Sequence, residues 1–63
     1  MPIVTVEWLT GKTKEQKVEL AKAITEAMSD VIGADPEATQ VIINDHPWEN
    51  WSMGGVLLSD RRD

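Results

Sequence analysis

The sequence TQVIIN, residues 39–44, contains three β-branched apolar side chains in succession, Val41, Ile42 and Ile43. A run of this kind predicts a strand that is covered on both faces, which is typical of a strand in a parallel pair. This stretch therefore indicates a parallel sheet, and its partner strand has to lie elsewhere in the chain.

The partner strand is predicted close to the N-terminus, at residues 3–9, IVTVEWL. These residues are rich in β-branched and aromatic side chains, and they alternate so that Val4, Val6 and Trp8 share one face. Residues 10–12, Thr-Gly-Lys, are typical of a turn that ends such a strand.

A helix is predicted between the two strands, over residues 13–32. Thr13 and Gln16 have the spacing of a capping box, and Gly33 is placed to end the helix in a left-handed conformation. Apolar side chains recur at steps of three and four, and the charged ones fall mostly between them. The apolar positions are Leu20, Ile24, Ala27, Met28 and Val31. A strand, a helix and a strand in one sheet imply a right-handed crossover.

The C-terminal third is predicted to add only a small hairpin. Residues 45–50 form an irregular polar connection, Gly54-Gly55 is a turn signal, and residues 56–58 form a short strand before a charged tail. The fold class is therefore α/β (α+β): one βαβ unit with a short C-terminal β-hairpin, in a single domain over residues 1–63.

Such a unit is too small to be stable by itself. A domain of 63 residues buries a smaller fraction of its surface than a larger one does. One helix covers only one face of a two-stranded sheet, and two strands alone are barely stable. With no Cys and one His, the sequence excludes disulfides and a thiolate metal site, and it offers no simple zinc site. Oligomerisation is the remaining way to complete the fold.

The charge and hydropathy patterns exclude several classes of partner. Six Lys and Arg against eleven Asp and Glu give a net charge of -5, which argues against a nucleic-acid partner. An anionic small molecule needs only one or two local cations and stays possible. No apolar run approaches the ~20 residues of a membrane span, and the N-terminus lacks the pattern of a signal peptide. We expect a cytoplasmic protein with no membrane partner.

Together these features resemble the 4-oxalocrotonate tautomerase group of the tautomerase superfamily, over essentially the whole length. The matching features are Pro2 directly after the initiator Met, the strand at residues 3–6, the turn and cap at 11–17, the strand at 41–43, and Gly54-Gly55. Each is weak alone, but they follow the family's order and spacing.

The resemblance implies a homo-oligomer, a hexamer built as a trimer of dimers from βαβ subunits. Its active site surrounds each N-terminal proline, and neighbouring subunits help to form it. The family's reaction moves a proton between carbon atoms, or between carbon and oxygen, of a 2-hydroxydienoate or an α-keto acid. It uses no metal or organic cofactor.

The resemblance makes Pro2 the catalytic residue, acting as a general base once Met1 is removed. A small residue at position two favours that removal. An α-amino group has a pKa of roughly 8, and desolvation or a nearby cation lowers that pKa toward neutrality. The alternative is that Pro2 only starts an edge strand, where proline is tolerated.

Four further residues are carried over as substrate-binding candidates. Lys12 and Gln40 stand where the best-studied members have arginines that bind the substrate carboxylate and its keto oxygen. Trp51 falls where the family has an aromatic wall beside the proline, and Arg62 where some members have an arginine near the site. The alternatives are a solvated turn lysine, an exposed strand residue, a packed tryptophan and a solvated tail arginine. His46 has no evident partner in the sequence and is assigned no role.

These residues indicate a keto–enol tautomerase acting on a small-molecule carboxylate or enol, such as 2-hydroxymuconate or phenylenolpyruvate. Because Lys12 lacks the arginine fork and Gln40 lacks the charge, a monocarboxylate or a neutral enol is more credible than a dicarboxylate. One alternative is a non-catalytic oligomeric scaffold or binding module of the same fold, which retention of Met1 would support. The other is a hydratase or decarboxylase that uses the same proline.

Overall fold

A parallel β-strand pair forms the centre of the molecule in a computed structural model that describes residues 2–61. Strand β1 spans Ile3–Leu9 and strand β2 spans Gln40–His46, in register from one end to the other. Helix α1, Lys14–Ile32, joins them. The βαβ unit predicted from the sequence is therefore confirmed.

Helix α1 begins and ends at the predicted signals. The Thr13 hydroxyl accepts a hydrogen bond from the Gln16 backbone N–H at 3.1 Å, and the Gln16 side chain accepts from the Thr13 N–H at 2.9 Å. This is the reciprocal capping box. At the other end Gly33 adopts a left-handed conformation with φ of 69°, which a glycine reaches without a Cβ clash.

The C-terminal hairpin is also present and is very short. Strand β3, Ser52–Met53, pairs antiparallel with strand β4, Val56–Leu57, and two glycines form the turn between them. The predicted strand at residues 56–58 ends one residue early, because Leu58 starts a one-turn 3-10 helix. Two other one-turn 3-10 helices were not predicted, at Pro36–Ala38 and Trp48–Asn50.

The prediction of an irregular connection over residues 45–50 was wrong at its first two positions. Strand β2 begins at Gln40 and continues through Asp45 and His46 instead of ending at residue 44. The Thr10 backbone N–H donates to the His46 carbonyl at 2.9 Å, which continues the hydrogen bonding beyond the last paired residues. Both polar side chains have partners on neighbouring elements, so they are compatible with a strand.

Residues 2–61 contain no buried side chain. Helix α1 lies over one face of the sheet, where Val41 and Ile43 are half-buried, whereas Ile42 on the other face is 45% exposed. The radius of gyration is 14.9 Å, against roughly 11 Å for a compact chain of this length. The predicted burial of β2 on both faces is therefore not achieved within one chain, and the chain has the surface of a subunit.

Exposed apolar side chains lie on the open sheet face, along α1 and in the hairpin. They are Ile3, Val18, Val31, Ile32, Ile42, Met53, Val56 and Leu57. Apolar surface of this extent marks an interaction site rather than a solvated exterior. None of the helices within residues 2–61 has the length and apolar character that crossing a membrane demands.

Candidate functional site

The candidate site residues within the described part of the chain occupy the two opposite ends of the parallel strand pair. Pro2 directly precedes β1, and its carbonyl accepts a hydrogen bond from the Gln40 backbone N–H at 3.0 Å. Gln40 is the first residue of β2. The predicted base and the predicted keto-oxygen ligand are therefore neighbours at the N-terminal end of the sheet.

Lys12 lies at the C-terminal end of the sheet, beyond the last residue of β1. Its Nζ is 5.1 Å from the centroid of the Trp8 ring and 3.4 Å from the Leu9 carbonyl oxygen, to which it donates. The first contact is a cation–π interaction, since the ammonium lies over the face of the indole. Lys12 is exposed but tethered, which restricts a side chain that would otherwise have many rotamers.

Trp51 is at the same end of the sheet as Lys12, but next to the face that α1 leaves open. It follows the 3-10 helix Trp48–Asn50, and its carbonyl accepts from the Leu58 backbone N–H at 2.8 Å. Its ring meets the His46 ring edge-on, with 5.6 Å between the centroids and 81° between the planes. These two contacts therefore orient the half-buried indole.

One chain does not bring these residues together. Strand β1 has 7 residues, and at about 3.3 Å per residue its two ends are about 20 Å apart. Pro2 and Gln40 lie at one end, and Lys12 and Trp51 lie at the other. Arg62, the remaining candidate, lies outside the described residues.

Two polar networks lie at the C-terminal end of the sheet and were not predicted from the sequence. On the open face, Glu7 accepts from the Asn44 side-chain amide at 2.8 Å and pairs with His46 Nε2 at 2.5 Å. These hydrogen bonds, chiefly the one with His46, lower the pKa of Glu7 below its ordinary value. Glu7 lies opposite Asn44 because of the alignment of β1 with β2. The sequence alone did not predict how the two strands align, so it did not predict this pairing.

The second network lies on the helix-covered face, centred on Asp45. Lys17 of α1 pairs with one carboxylate oxygen at 2.5 Å, and the Trp8 indole N–H donates to the other oxygen. Both hydrogen bonds lower the pKa of Asp45, that of Lys17 most strongly. Because Trp8 also lies under the Lys12 ammonium, this network fixes the ring that holds Lys12.

Within residues 2–61, neither a metal site nor the groove along α1 accounts for these residues. In the part of the chain that the structure describes, no group of three or more His, Asp or Glu could hold a metal ion. An open groove of about 290 Å³ lies along α1 and is lined by Ala21, Lys22, Thr25 and Glu26. None of the candidate residues lines it.

Comparison with known proteins identifies the fold just described. A family model described as a tautomerase enzyme matches residues 2–61, from Pro2 to the end of the described chain. The chain belongs to the tautomerase family. As a tautomerase it is an enzyme of the isomerase class, and the α+β architecture is that of the family.

Individual tautomerases match it over nearly their whole length. The 2-hydroxymuconate tautomerase of Bacillus subtilis is 40% identical over 60 residues, which are 95% of this chain and 97% of that protein. A crystal structure of a 4-oxalocrotonate tautomerase homologue superposes with a TM-score of 0.91 at 35% identity, covering 100% of both chains. A heterohexamer 4-oxalocrotonate tautomerase from Chloroflexus aurantiacus has a TM-score of 0.88 at 29% identity, covering 98% of this chain and 100% of that one.

Proposed function

We propose that this tautomerase, after removal of Met1, uses the secondary amine of Pro2 as the general base in the ketonisation of an enol. The substrate is the enol of an α-keto acid or a 2-hydroxydienoate, such as phenylenolpyruvate or 2-hydroxymuconate. The observation that carries the proposal is the family match that begins at Pro2, a residue held at the head of β1 by the Gln40 backbone.

The proposed chemistry is a proton transfer in two steps. The neutral amine of Pro2 takes the proton from the enol hydroxyl, and the oxygen becomes a carbonyl as its electrons displace the carbon–carbon double bond. The same proton, now on the ammonium, is delivered to the carbon that receives those electrons. An α-amine suits both steps because its pKa, roughly 8 in water, is close to the working pH.

We place this site between chains of an oligomer, in which Pro2 and Gln40 of one subunit meet Lys12 and Trp51 of its neighbours. Two observations support this: the strand pair separates the two groups within one chain, and no described residue is buried. A homohexamer, built as a trimer of dimers, is the proposed assembly. The similarity to the heterohexamer from Chloroflexus aurantiacus supports an assembly of six subunits.

The substrate preference follows from the charges at the two ends. Lys12 offers one ammonium, held over Trp8, which binds a carboxylate as a point charge and not through the paired bonds of an arginine. Gln40 offers an amide without charge. A substrate with a single carboxylate, such as phenylenolpyruvate, therefore matches these groups better than a dicarboxylate.

The test is a rate measurement on protein whose mass confirms the loss of Met1. Absorbance should report ketonisation of phenylenolpyruvate and 2-hydroxymuconate above the buffer rate, faster for phenylenolpyruvate. Pro2→Ala should lower kcat/KM roughly 10²–10⁴-fold, the usual effect of losing a positioned base.

Pro36→Ala is the matched control, because Pro36 lies in a one-turn 3-10 helix outside the candidate site. Its rate should equal that of the unaltered protein. If Met-free protein ketonises no enol faster than buffer does, the proposal fails and a non-catalytic scaffold becomes the better account of the same fold.

A further inference from the structure

The ring of Trp51 is held through a chain of contacts that starts at its own backbone. The Leu58 N–H fixes the Trp51 carbonyl, but a fixed backbone still leaves an indole several staggered rotamers. The edge-on contact with His46, 5.6 Å between centroids, selects one direction for the indole. The orientation of Trp51 therefore depends on the orientation of His46.

His46 is itself held at two points. Its carbonyl accepts from the Thr10 backbone N–H at 2.9 Å, which fixes the residue at the end of β2. Its ring nitrogen Nε2 pairs with Glu7 Oε1 at 2.5 Å. With the backbone and Nε2 both held, the imidazole cannot turn away from Trp51 unless the contact with Glu7 breaks.

Glu7 is a suitable anchor because both of its oxygens are engaged. Oε1 contacts His46, and Oε2 accepts from the Asn44 side-chain amide at 2.8 Å. Residues 7 and 44 are in-register partners on adjacent strands, so the Glu7 carboxylate and the Asn44 amide lie side by side. The lowered pKa of Glu7 is consistent with a carboxylate that stays ionised at neutral pH.

We propose that Glu7 and His46 are a positioning pair that fixes the ring of Trp51 as the wall of the tautomerase site. This inference rests on the proposed function, in which Trp51 lies beside the Pro2 amine of a neighbouring subunit. Neither Glu7 nor His46 touches the reacting atoms in this account. They act through the indole, by keeping it where it excludes water from the amine.

If the Trp51 ring is no longer fixed, the pKa of Pro2 and the rate of the reaction should both change. Water that reaches the amine stabilises its ammonium form, so the pKa of the base rises and less of it is neutral at pH 7. We expect kcat/KM at neutral pH to fall roughly two- to tenfold, the range that corresponds to one aromatic contact. The acidic limb of the kcat/KM profile should move to higher pH, which a general loss of folded protein would not produce.

Glu7→Gln is the main test because it removes the carboxylate charge without altering either aromatic side chain, His46 or Trp51. The indole N–H signal of Trp51 in a nitrogen–proton NMR spectrum, assigned by its loss in Trp51→Phe, should shift in Glu7→Gln, since the two rings change their relative orientation. The kinetic changes above should accompany it. His46→Gln, which keeps a donor for Glu7 but has no ring, should give the same kinetic changes.

Glu19→Gln is the matched control, since Glu19 is an exposed residue of α1 and the substitution removes the same charge. The control should match the unaltered protein in rate, pH profile and Trp51 signal. If Glu7→Gln matches this control in all three, the proposal is overturned.

The NMR signal separates this inference from the proposed function. If the unaltered protein ketonises no enol, the proposed function fails, and a shifted Trp51 signal would still support the positioning pair. If Glu7→Gln does not assemble, His46→Phe takes its place, because it keeps a ring next to Trp51 but loses the contact with Glu7. A Trp51 signal that keeps its line width and position in assembled His46→Phe would overturn the proposal.

Discussion

The two ends of the β1–β2 pair are built differently. At the N-terminal end, Pro2 is held by one backbone hydrogen bond from Gln40. At the C-terminal end, Lys12 and Trp51 are each oriented by an aromatic partner, and each of those partners is hydrogen-bonded to a carboxylate. One subunit therefore orients Lys12 and Trp51 by itself, whereas in the proposed assembly neighbouring subunits complete the environment of Pro2.

This difference agrees with the chemical demands on each end. A binding group has to keep one geometry, and restricting it in advance lowers the entropy lost when substrate binds. A base needs mainly a suitable pKa, which desolvation by a neighbouring subunit can supply. The predictions below change the C-terminal end, and the largest expected effect comes first.

Removing the cation at the C-terminal end should weaken carboxylate binding strongly. Lys12→Ala should lower kcat/KM for phenylenolpyruvate roughly 10–100-fold, the usual value of a charged hydrogen bond. The measurement is a comparison with a neutral enol, for which the rate should hardly change. Lys14→Ala, another exposed lysine close in sequence, is the control and should leave both rates unchanged. Equal losses on both substrates would mean that Lys12 does not bind the carboxylate.

Removing the Trp8 ring, which lies under the Lys12 ammonium, should weaken substrate binding less than removing Lys12 itself. Trp8→Leu eliminates the cation–π contact and should raise KM for a carboxylate substrate roughly two- to fivefold, with kcat unchanged. Trp8→Phe keeps an aromatic face but loses the indole bond to Asp45. Steady-state kinetics should place Trp8→Phe between Trp8→Leu and the unaltered protein. If Trp8→Leu changes kcat and leaves KM alone, the ring has some other role.

Acid should lower the stability of the fold through two carboxylates at the C-terminal end, those of Glu7 and Asp45. The pKa values of Glu7 and Asp45 are lowered from ordinary values of 4.5 and 3.8. A carboxylate of lowered pKa stabilises the fold above its ordinary value, and that stabilisation is lost as the pH falls through the folded-state value.

Thermal unfolding should therefore show a Tm that is steady near neutrality and falls below about pH 4.5. Paired replacement by Glu7→Gln and Asp45→Asn should make the slope of Tm against pH shallower in that range. Glu19→Gln should keep the original slope. An unchanged slope in the double variant would show that these two carboxylates do not govern the acid response.

The sequence predicted the elements whose signals are local. Thr13, Gln16 and Gly33 specify the two ends of α1 within a few residues of chain, and the glycine pair specifies the hairpin turn. The end of β2 was predicted wrongly because Asp45 and His46 are polar, and polarity is a signal of connections. Their strand conformation depends on Lys17, Trp8 and Glu7, which lie far away in sequence.

The same limit applies to the candidate site. Pro2, Lys12, Gln40 and Trp51 were predicted through a resemblance to a family, without their relative positions. The partnership of Glu7 with His46 was not predicted, because it joins residues 39 positions apart and depends on the register of two strands. Periodicity in a sequence specifies which face a residue occupies, but it does not specify which residue lies beside it.

The central claim is that one active site combines the N-terminal end of one subunit with the C-terminal end of another. It is tested most directly by co-expressing Pro2→Ala with Lys12→Ala and measuring ketonisation of phenylenolpyruvate by the mixed oligomer. Random mixing leaves about a quarter of such shared sites with both original residues, so we predict about a quarter of the unaltered activity. A mixed oligomer with only the average activity of the two parent variants would contradict the claim.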